Sequence, residues 1–104
     1  MQSNKVLSLL GICMKAGKVK SGEFQTTDAV KSGKAWLVIV AEDASNNTKK
    51  EFSNMCDFYG VPYWEYSSKA DLGRAIGKEE RSSIAVCDEG FSKSFEKIRN
   101  EIVK

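Results

Sequence analysis

Residues 36–41 have the sequence WLVIVA, an unbroken apolar run that decides the fold of this chain. A run of this length favours a β-strand over a helix, and it lacks the polar alternation of a strand with one solvated face. Continuous apolar strands are typical of the centre of a sheet that is covered on both sides. We therefore expect residues 36–41 to form a buried central strand with helices on both faces of its sheet.

Strand-like and helix-like segments alternate around this central run. Residues 63–66 and 83–87 are predicted as strands, and a short extended piece can form around Val19. Five helices are predicted from apolar residues at helical spacing between capping residues and glycines. They run from Ser3 or Asn4 to Gly17, from Ser21 and Gly22 to Gly33, from Ser45 to Gly60, from Ser68 to Ile76, and over a last segment. The third helix has its apolar residues at i, i+3, i+4 and i+7, namely Phe52, Met55, Cys56 and Tyr59. The last helix has Phe91, Phe95, Ile98 and Ile102 on one face.

This order of elements predicts an α/β fold, a three-layer α/β/α sandwich. Connections long enough to return across the sheet favour a largely parallel sheet with helices on both faces. A length of 104 residues fits one compact domain, residues 1–104, and the sequence contains no repeat or linker that would divide it.

Several kinds of chemistry are excluded by composition. The chain contains no histidine, which removes Ser-His-Asp and Cys-His catalysis and most zinc sites. Its three cysteines form no C-x-x-C pair and lie in apolar patterns, so we expect buried thiols without disulfides. Adjacent acids point in different directions and do not form a general acid/base pair; Asp43 and Asp88 are expected to cap the helices that follow them. The sequence therefore predicts no catalytic residue, no metal site and no cofactor.

Charge is unevenly distributed although the formal net charge is only +2. Residues 1–40 carry six lysines and two carboxylates, whereas the remaining residues carry ten basic and twelve acidic groups. Lys18 and Lys20 precede Gly22 and a predicted helix start, where backbone N–H groups and positive charge together attract phosphates. On charge alone, an ordinary solvated surface is the simpler interpretation.

The sequence also predicts the cellular setting. The longest apolar run, residues 35–41, is too short to cross a bilayer, and the N-terminus lacks the pattern of a signal peptide. We therefore expect a cytoplasmic monomer without a membrane partner.

Six blocks of sequence follow one another in a specific order. They are residues 15–22 (KAGKVKSG), 32–35 (SGKA), 37–45 (LVIVAEDAS), 56 (C), 61–62 (VP) and 68–78 (SKADLGRAIGK). From about Leu7 to Asp88, their order and spacing resemble the ribosomal L7Ae and L30e family, in particular its short bacterial branch. The resemblance implies a four-stranded mixed sheet, with the additional strand around Val19.

Members of that family bind kink-turn RNA, a sharply bent internal loop with tandem sheared G·A pairs. The resemblance therefore implies a non-catalytic protein, similar to ribosomal proteins, that binds structured ribosomal or other non-coding RNA. Ribosomal proteins are further expected partners.

The recognition motif of the family, Gly-x-Asn-Glu-x-x-Lys at the start of the second helix, aligns with residues 22–28. Gly22 matches the motif, and Gln25 matches the position that reads a guanine edge. Phe24 replaces a polar residue, and Asp28 replaces a lysine that lies against the bent RNA in relatives. Reversing this charge beside phosphates is expected to weaken binding by about 1 kcal/mol. The RNA-binding residues implied by this alignment are Gly22, Glu23, Phe24, Gln25 and Asp28.

The resemblance adds three further groups to the predicted RNA site. The first is the loop after the fourth helix, in which Lys78 or Arg81 would stack on a base or pair with phosphate. The full loop comprises Lys78, Glu79, Glu80 and Arg81. The second is a turn that faces the same side in relatives, formed by Glu42, Asp43 and Ala44. The third is a set of lysines close enough in sequence to compensate for Asp28, namely Lys18, Lys20, Lys31 and Lys34.

Two other classes of function remain open from the sequence. A protein-interaction adaptor of the same fold would suit the departures at Asp28 and residues 79–80, which disfavour RNA. An enzyme has the least support because no nucleophile–base pair can be named. A comparison of binding to a kink-turn RNA and to its straightened mutant distinguishes the RNA-binding protein from the adaptor.

Overall fold

The computed structural model describes residues 4–102 of the 104-residue chain, and this part forms four strands and five helices. The elements are α1 Lys5–Lys15, β1 Val19–Ser21, α2 Glu23–Lys31, β2 Leu37–Val40, α3 Asn46–Tyr59, β3 Tyr63–Glu65, α4 Lys69–Ala75, β4 Ser83–Val86 and α5 Glu89–Ile102. Helices α2 and α3 pack together on one face of the sheet, and α1 packs with α4 and α5 on the other. The predicted three-layer α/β/α sandwich is confirmed.

The sheet is mixed, with the strand order β1-β4-β2-β3. Strands β2 and β3 are parallel, but β4 runs antiparallel to both β1 and β2. The expectation of a largely parallel sheet, drawn from connection lengths, was wrong. The mixed four-stranded sheet implied by the resemblance is confirmed, and the extended piece around Val19 forms the edge strand β1.

The direction of β4 follows from the path of the chain after α4. Helix α4 has only seven residues, and Gly77 turns the chain with a φ of 71°. The Arg81 amide then donates a hydrogen bond of 3.1 Å to the Lys69 carbonyl at the start of α4. The chain thus runs back along α4 and enters β4 beside the end of β2. The length of a connection does not reveal such a return.

Side-chain caps begin four of the five helices. Asn4, Ser45 and Ser68 cap α1, α3 and α4, and the Asp88 carboxylate accepts a hydrogen bond of 2.9 Å from a backbone amide in the first turn of α5. These caps were predicted from the sequence; the alternative cap of α1, Ser3, lies outside the described residues.

Asp43 binds a different helix from the predicted one. Its carboxylate accepts a hydrogen bond of 2.8 Å from the amide of Lys69, the first residue of α4, whereas α3 is capped by Ser45. Because β2 and β3 are parallel neighbours, the loops that follow them meet at one edge of the sheet. Asp43 thus joins these two loops.

Strands β2 and β4 form the centre of the core, and every residue of both is buried. This confirms the buried strand predicted for residues 36–41, except that Trp36 lies just outside β2 and is 46% exposed. Tyr59 and Ile102, which the sequence places on the apolar faces of α3 and α5, are 44% and 52% exposed. Each lies one turn beyond the last buried or half-buried residue on its helix face.

No helix within residues 4–102 is long and apolar enough to cross a membrane.

Two of the three cysteines belong to this core. Cys13 and Cys56 are buried free thiols, as predicted, whereas Cys87 is only half-buried. Burial and, to a smaller extent, the Asp88 carboxylate raise the pKa of Cys13 to about 12, and burial raises the pKa of Cys56 to about 11. At neutral pH both thiols are therefore protonated and poorly nucleophilic.

Candidate nucleic-acid interface

Three helices start at the same edge of the sheet. There β1, β2 and β3 end, β4 begins, and the chain enters α2, α3 and α4. We call this the helix-start edge, which comprises residues 21–25, 41–48, 65–69 and 78–83. The partial positive charges of three helix N-termini lie together at this edge. Ser45 and Ser68 cap α3 and α4, whereas the uncapped start of α2 leaves backbone donors that can bind an anion without a basic side chain.

Helix α2 is the one helix within residues 4–102 whose first turn has no side-chain cap. Its N-cap residue, Gly22, has φ 92° and ψ 160°, a conformation that is strained for residues with a Cβ. The Gly22 amide donates to the Ser83 carbonyl, and the first α2 amide with a helical acceptor is that of Thr26. The amides of residues 23–25 therefore lack helical acceptors and can bind a ligand.

The side chains of the first turn of α2 are all accessible. Glu23, Phe24 and Gln25 are exposed, and Phe24 presents 82% of its surface to solvent. The ring offers a stacking surface, and the amide of Gln25 offers both a donor and an acceptor. Asp28, just over a turn further along α2, is also exposed and adds a carboxylate to the same helix.

A groove of about 310 Å³ lies between the starts of α2 and α3 and the segment that leads into β4. Its lining consists of Ser21, Gly22, Glu23, Thr48, Phe52, Glu80, Arg81, Ser82 and Ser83. Arg81 is held in place because its Nε donates to Ser21 Oγ over 3.2 Å and its Nη1 donates to the Glu80 carbonyl over 2.9 Å. A guanidinium has five N–H donors, so further ones remain for a phosphate.

The groove contains hydroxyl groups that sequence reasoning missed. Ser21, Thr48, Ser82 and Ser83 come from three separate regions of the chain, and no motif connects them. The Ser83 side chain is buried, and among residues 4–102 its Oγ has no hydrogen-bond partner. A buried hydroxyl without a partner is unfavourable, so a ligand that reaches it would gain a hydrogen bond.

The turn formed by residues 42–44 connects the loops of the helix-start edge through hydrogen bonds. The Glu42 amide donates to the Ser67 carbonyl over 2.7 Å, and Asp43 binds the start of α4. Ala44 is buried, whereas the side chains of Glu42 and Asp43 are exposed. The turn thus brings two carboxylates to this edge and holds the loops after β2 and β3 together.

The loop after α4 also reaches the helix-start edge. Lys78, Glu79 and Glu80 are exposed and Arg81 is half-buried. The loop rests on the backbone of α4 at Gly73, where an added Cβ would lie 1.9 Å from the Glu79 carbonyl oxygen. The position of this loop therefore depends on the absence of a side chain at residue 73.

The predicted lysines lie mostly away from the helix-start edge. Lys31 ends α2, about 12 Å along the axis from its first residue. Lys18 precedes β1 and is about 13 Å along the strand from Gly22. Lys34 lies between α2 and β2, and Lys20 is in the middle of β1. Together with the end of α1 they form what we call the lysine surface: Lys15, Lys18, Lys20, Lys31 and Lys34.

Cys87, just after β4, reports the electrostatics of the lysine surface. Burial raises the pKa of its thiol, and the ammonium groups of Lys20, Lys34 and Lys18 oppose that effect. Three of the lysines therefore lie close enough to act on one thiol.

Among the described residues, no group of three His, Cys, Asp or Glu side chains could hold a metal ion.

Comparison with known proteins identifies relatives of this chain. Residues 4–96 match the model of the ribosomal protein L7Ae/L30e/S12e/Gadd45 family. The chain is 46% identical over 84 residues to the RNA-binding protein YlxQ of Bacillus subtilis (strain 168), which covers 81% of this chain and 84% of that protein. It is 35% identical over 88 residues to the large ribosomal subunit protein eL8 of Cenarchaeum symbiosum (strain A), with 84% and 70% of the two chains covered.

Two solved structures have the same fold. A protein with unknown function from Bacillus halodurans C matches with a TM-score of 0.88 and 41% identity, over 91% of this chain and 96% of that one. The 15.5kD RNA binding protein of Giardia lamblia matches with a TM-score of 0.78 and 25% identity, over 95% of this chain and 89% of that one.

Proposed function

Since this chain belongs to the ribosomal protein L7Ae/L30e/S12e/Gadd45 family, we propose that it binds structured RNA at the helix-start edge and recognises a kink-turn there without catalysing a reaction. Two similar proteins, one bacterial and one from Giardia lamblia, are named as RNA-binding proteins. The kink-turn is the RNA shape that the resemblance of residues 15–78 to the family implies.

The observation that carries this proposal is the uncapped start of α2. Four helices satisfy a first-turn amide with a side chain, whereas α2 begins with Gly22 and leaves the amides of residues 23–25, which are exposed residues, without helical acceptors. A glycine here lets a base edge or a phosphate approach the backbone closely. These amides are fixed in space, so they favour an RNA whose acceptors are already arranged to meet them.

Gln25 supplies the base-specific part of the recognition. Its exposed amide can donate to and accept from the guanine edge of a sheared G·A pair, and Phe24 can stack on a neighbouring base. Ordinary duplex RNA would bind poorly, because its deep and narrow major groove does not admit a helix start.

Arg81 and Lys78 are the proposed phosphate contacts of this site. Arg81 is oriented by Ser21 and can still donate to a phosphate from across the groove. Asp28 opposes binding because its carboxylate stands where a phosphate would pass. Most of the lysine surface lies further from the uncapped amides, with Lys31 about 12 Å along α2, and acts here through long-range attraction. Lys20 is the exception, because it lies in β1 only two residues before Gly22.

The setting we propose is the cytoplasm, where ribosomal and other non-coding RNAs are the partners. The archaeal relative is named as a protein of the large ribosomal subunit, and it covers 84% of this chain. Ribosomal proteins adjacent to the bound RNA would then be secondary partners.

The test is a titration of the wild-type chain with a kink-turn RNA and with a straightened mutant that lacks the G·A pairs. We expect the mutant RNA to bind at least about tenfold more weakly, a loss of about 1.4 kcal/mol. Both titrations use the same ionic strength, because the affinity that comes from phosphate contacts depends steeply on the salt concentration. Equal affinities for the two RNAs would overturn kink-turn recognition and favour the adaptor function.

A further inference from the structure

Exposed aromatic side chains are concentrated next to the lysine surface. Trp36 is 46% exposed, Phe58 81% and Tyr59 44%. The rings of Phe58 and Tyr59 meet edge to face at 4.9 Å. All three lie where α3 ends and where the chain enters β2, at the end of the sheet opposite the helix-start edge. None of them is needed by the site proposed above.

A cleft of about 250 Å³ separates Trp36 from Tyr59. Its remaining lining comes from the end of α2 and the loop after α3, with Lys31 among the lining residues. The cleft is smaller than the roughly 300–1,000 Å³ of pockets that enclose a small-molecule ligand. It has room for one flat group lying on an aromatic wall, while the rest of the ligand continues over the surface.

The charge next to this cleft is positive. Lys31 lines it, and Lys34 precedes Trp36 by two residues. Across the adjoining strand, Lys18, Lys20 and Lys34 all act on the Cys87 thiol, so the positive surface continues toward β1. Within the described part of the chain, the members of the lysine surface form no ion pair. Their charge is therefore available to an anionic partner.

We propose that the Trp36–Tyr59 cleft and the lysine surface form a second RNA site that binds a single-stranded segment. Aromatic platforms combined with ammonium groups are the features that bind unpaired nucleotides, since bases stack on the rings while the phosphates meet the cations. A duplex does not fit these features, because its bases are stacked internally and cannot lie on Trp36 or Tyr59. The site goes beyond kink-turn recognition, because it uses other residues at the other end of the sheet.

The experiment uses the whole chain and a fluorescein-labelled oligouridylate of about twelve nucleotides, which has no stable fold. Binding is followed by anisotropy in wild type, Trp36→Ala, Trp36→Phe, and the double variant Lys31→Ala/Lys34→Ala. Lys97→Ala is the matched control, because Lys97 is an exposed lysine on α5. Thermal unfolding of every variant confirms that it is folded, and Tyr59→Ala replaces Trp36→Ala if the latter is not.

We expect Trp36→Ala to weaken oligouridylate binding about tenfold or more, and Trp36→Phe to restore most of the loss because it keeps a stacking ring. The double lysine variant should lower the slope of log affinity against log salt by about 1.4, since each lost phosphate contact contributes about 0.7 for single strands. Lys97→Ala should bind as wild type. The kink-turn RNA should bind Trp36→Ala with unchanged affinity, which keeps this test separate from that of the helix-start edge.

The proposal is overturned if the oligouridylate does not bind the wild type, or if Trp36→Ala and the lysine variant bind it as wild type does. It is also overturned if oligouridylate affinity falls equally in Lys97→Ala, because the effect would then be general attraction. In any of these cases the aromatic cleft would belong to a protein partner or to none. Failure here leaves the kink-turn titration of wild type unaffected.

Discussion

The helix-start edge and the lysine surface lie toward opposite ends of one sheet, with Lys20 of β1 between them, and they present positive charge in different ways. Exposed carboxylates outnumber cations at the helix-start edge, so its attraction for anions comes from the backbone amides of helix starts. The lysine surface carries five ammonium groups on flexible stems. Fixed amides select a shape, whereas mobile ammonium groups attract phosphate in any arrangement.

The comparison also separates stability from recognition. In an ordinary extended N-cap conformation, a Ser, Asp or Asn cap stabilises a helix by only a few tenths of a kcal/mol relative to glycine, and side chains supply such caps at the other four helices. Gly22 forgoes that contribution and leaves three amides exposed. The lysine surface loses no comparable stabilisation, because its side chains extend from residues whose backbone groups are already hydrogen-bonded.

The largest effect is expected from Gly73→Ala, which disturbs the helix-start edge alone. The new Cβ would lie 1.9 Å from a backbone oxygen of the loop after α4, so the loop must move, at a cost of about 3 kcal/mol. Thermal unfolding should show a clearly lower midpoint. Gly11→Ala is the control, since its Cβ would lie 3.2 Å from the Ala75 carbonyl oxygen and needs only a small shift. Equal midpoints for the two variants would contradict the packing described for this loop.

Next in size is the effect of Gln25→Ala on recognition of the kink-turn. We expect a loss of about 1–2 kcal/mol for the RNA with intact G·A pairs and little change for the straightened RNA. Isothermal calorimetry with both RNAs measures this difference. Asn54→Ala, on the exposed side of α3, is the control. A uniform loss over both RNAs would show that Gln25 does not read a base.

Asp28→Lys should make RNA binding at the helix-start edge depend more on side-chain charge, as it does at the lysine surface. Replacing the carboxylate with an ammonium group should tighten kink-turn binding several-fold and steepen the slope of log affinity against log salt by about one phosphate contact. Titrations at three salt concentrations measure both quantities. Unchanged affinity would mean that residue 28 does not face the RNA and that the motif is misaligned.

The smallest expected effect concerns Cys87 and its neighbouring lysines. Lys34 lowers the thiol pKa against the effect of burial, so Lys34→Ala should raise that pKa and reduce the thiolate fraction at pH 8. Alkylation of Cys87 by iodoacetamide should therefore slow by a small factor and recover as the pH is raised. Mass spectrometry reads the site, with Cys13 and Cys56 protected by burial. Faster alkylation in the variant would contradict the placement of Lys34.

The sequence predicted the layers of the fold and most helix limits, because apolar periodicity and capping residues are local signals. It did not predict the direction of β4, which depends on how residues 77–82 return along α4. The start of α2 at Ser21 and Gly22 was predicted from local signals, and the resemblance of residues 22–28 to the family motif implied its role in RNA recognition. By contrast, the groove hydroxyls of Thr48 and Ser83 come together only in three dimensions.

The distance between Lys31 and Gly22 was also hidden in the sequence. These residues are nine positions apart, and the sequence grouped them in one site. A helix carries them to opposite ends of the sheet, which divides the predicted site into two surfaces. Closeness in sequence therefore does not imply closeness in space where a whole helix intervenes.

The most direct test of this division is a binding experiment with both RNAs present. Wild-type chain is first saturated with unlabelled kink-turn RNA, and labelled oligouridylate is then titrated at fixed salt while anisotropy is recorded. If the two surfaces are separate, the oligouridylate still binds the complex. Repulsion between the two RNAs makes its affinity for the complex lower than its affinity for the free chain, and this difference becomes smaller at higher salt. Stoichiometric displacement of the oligouridylate by the kink-turn RNA would contradict the account, because it would show that both RNAs occupy a single site.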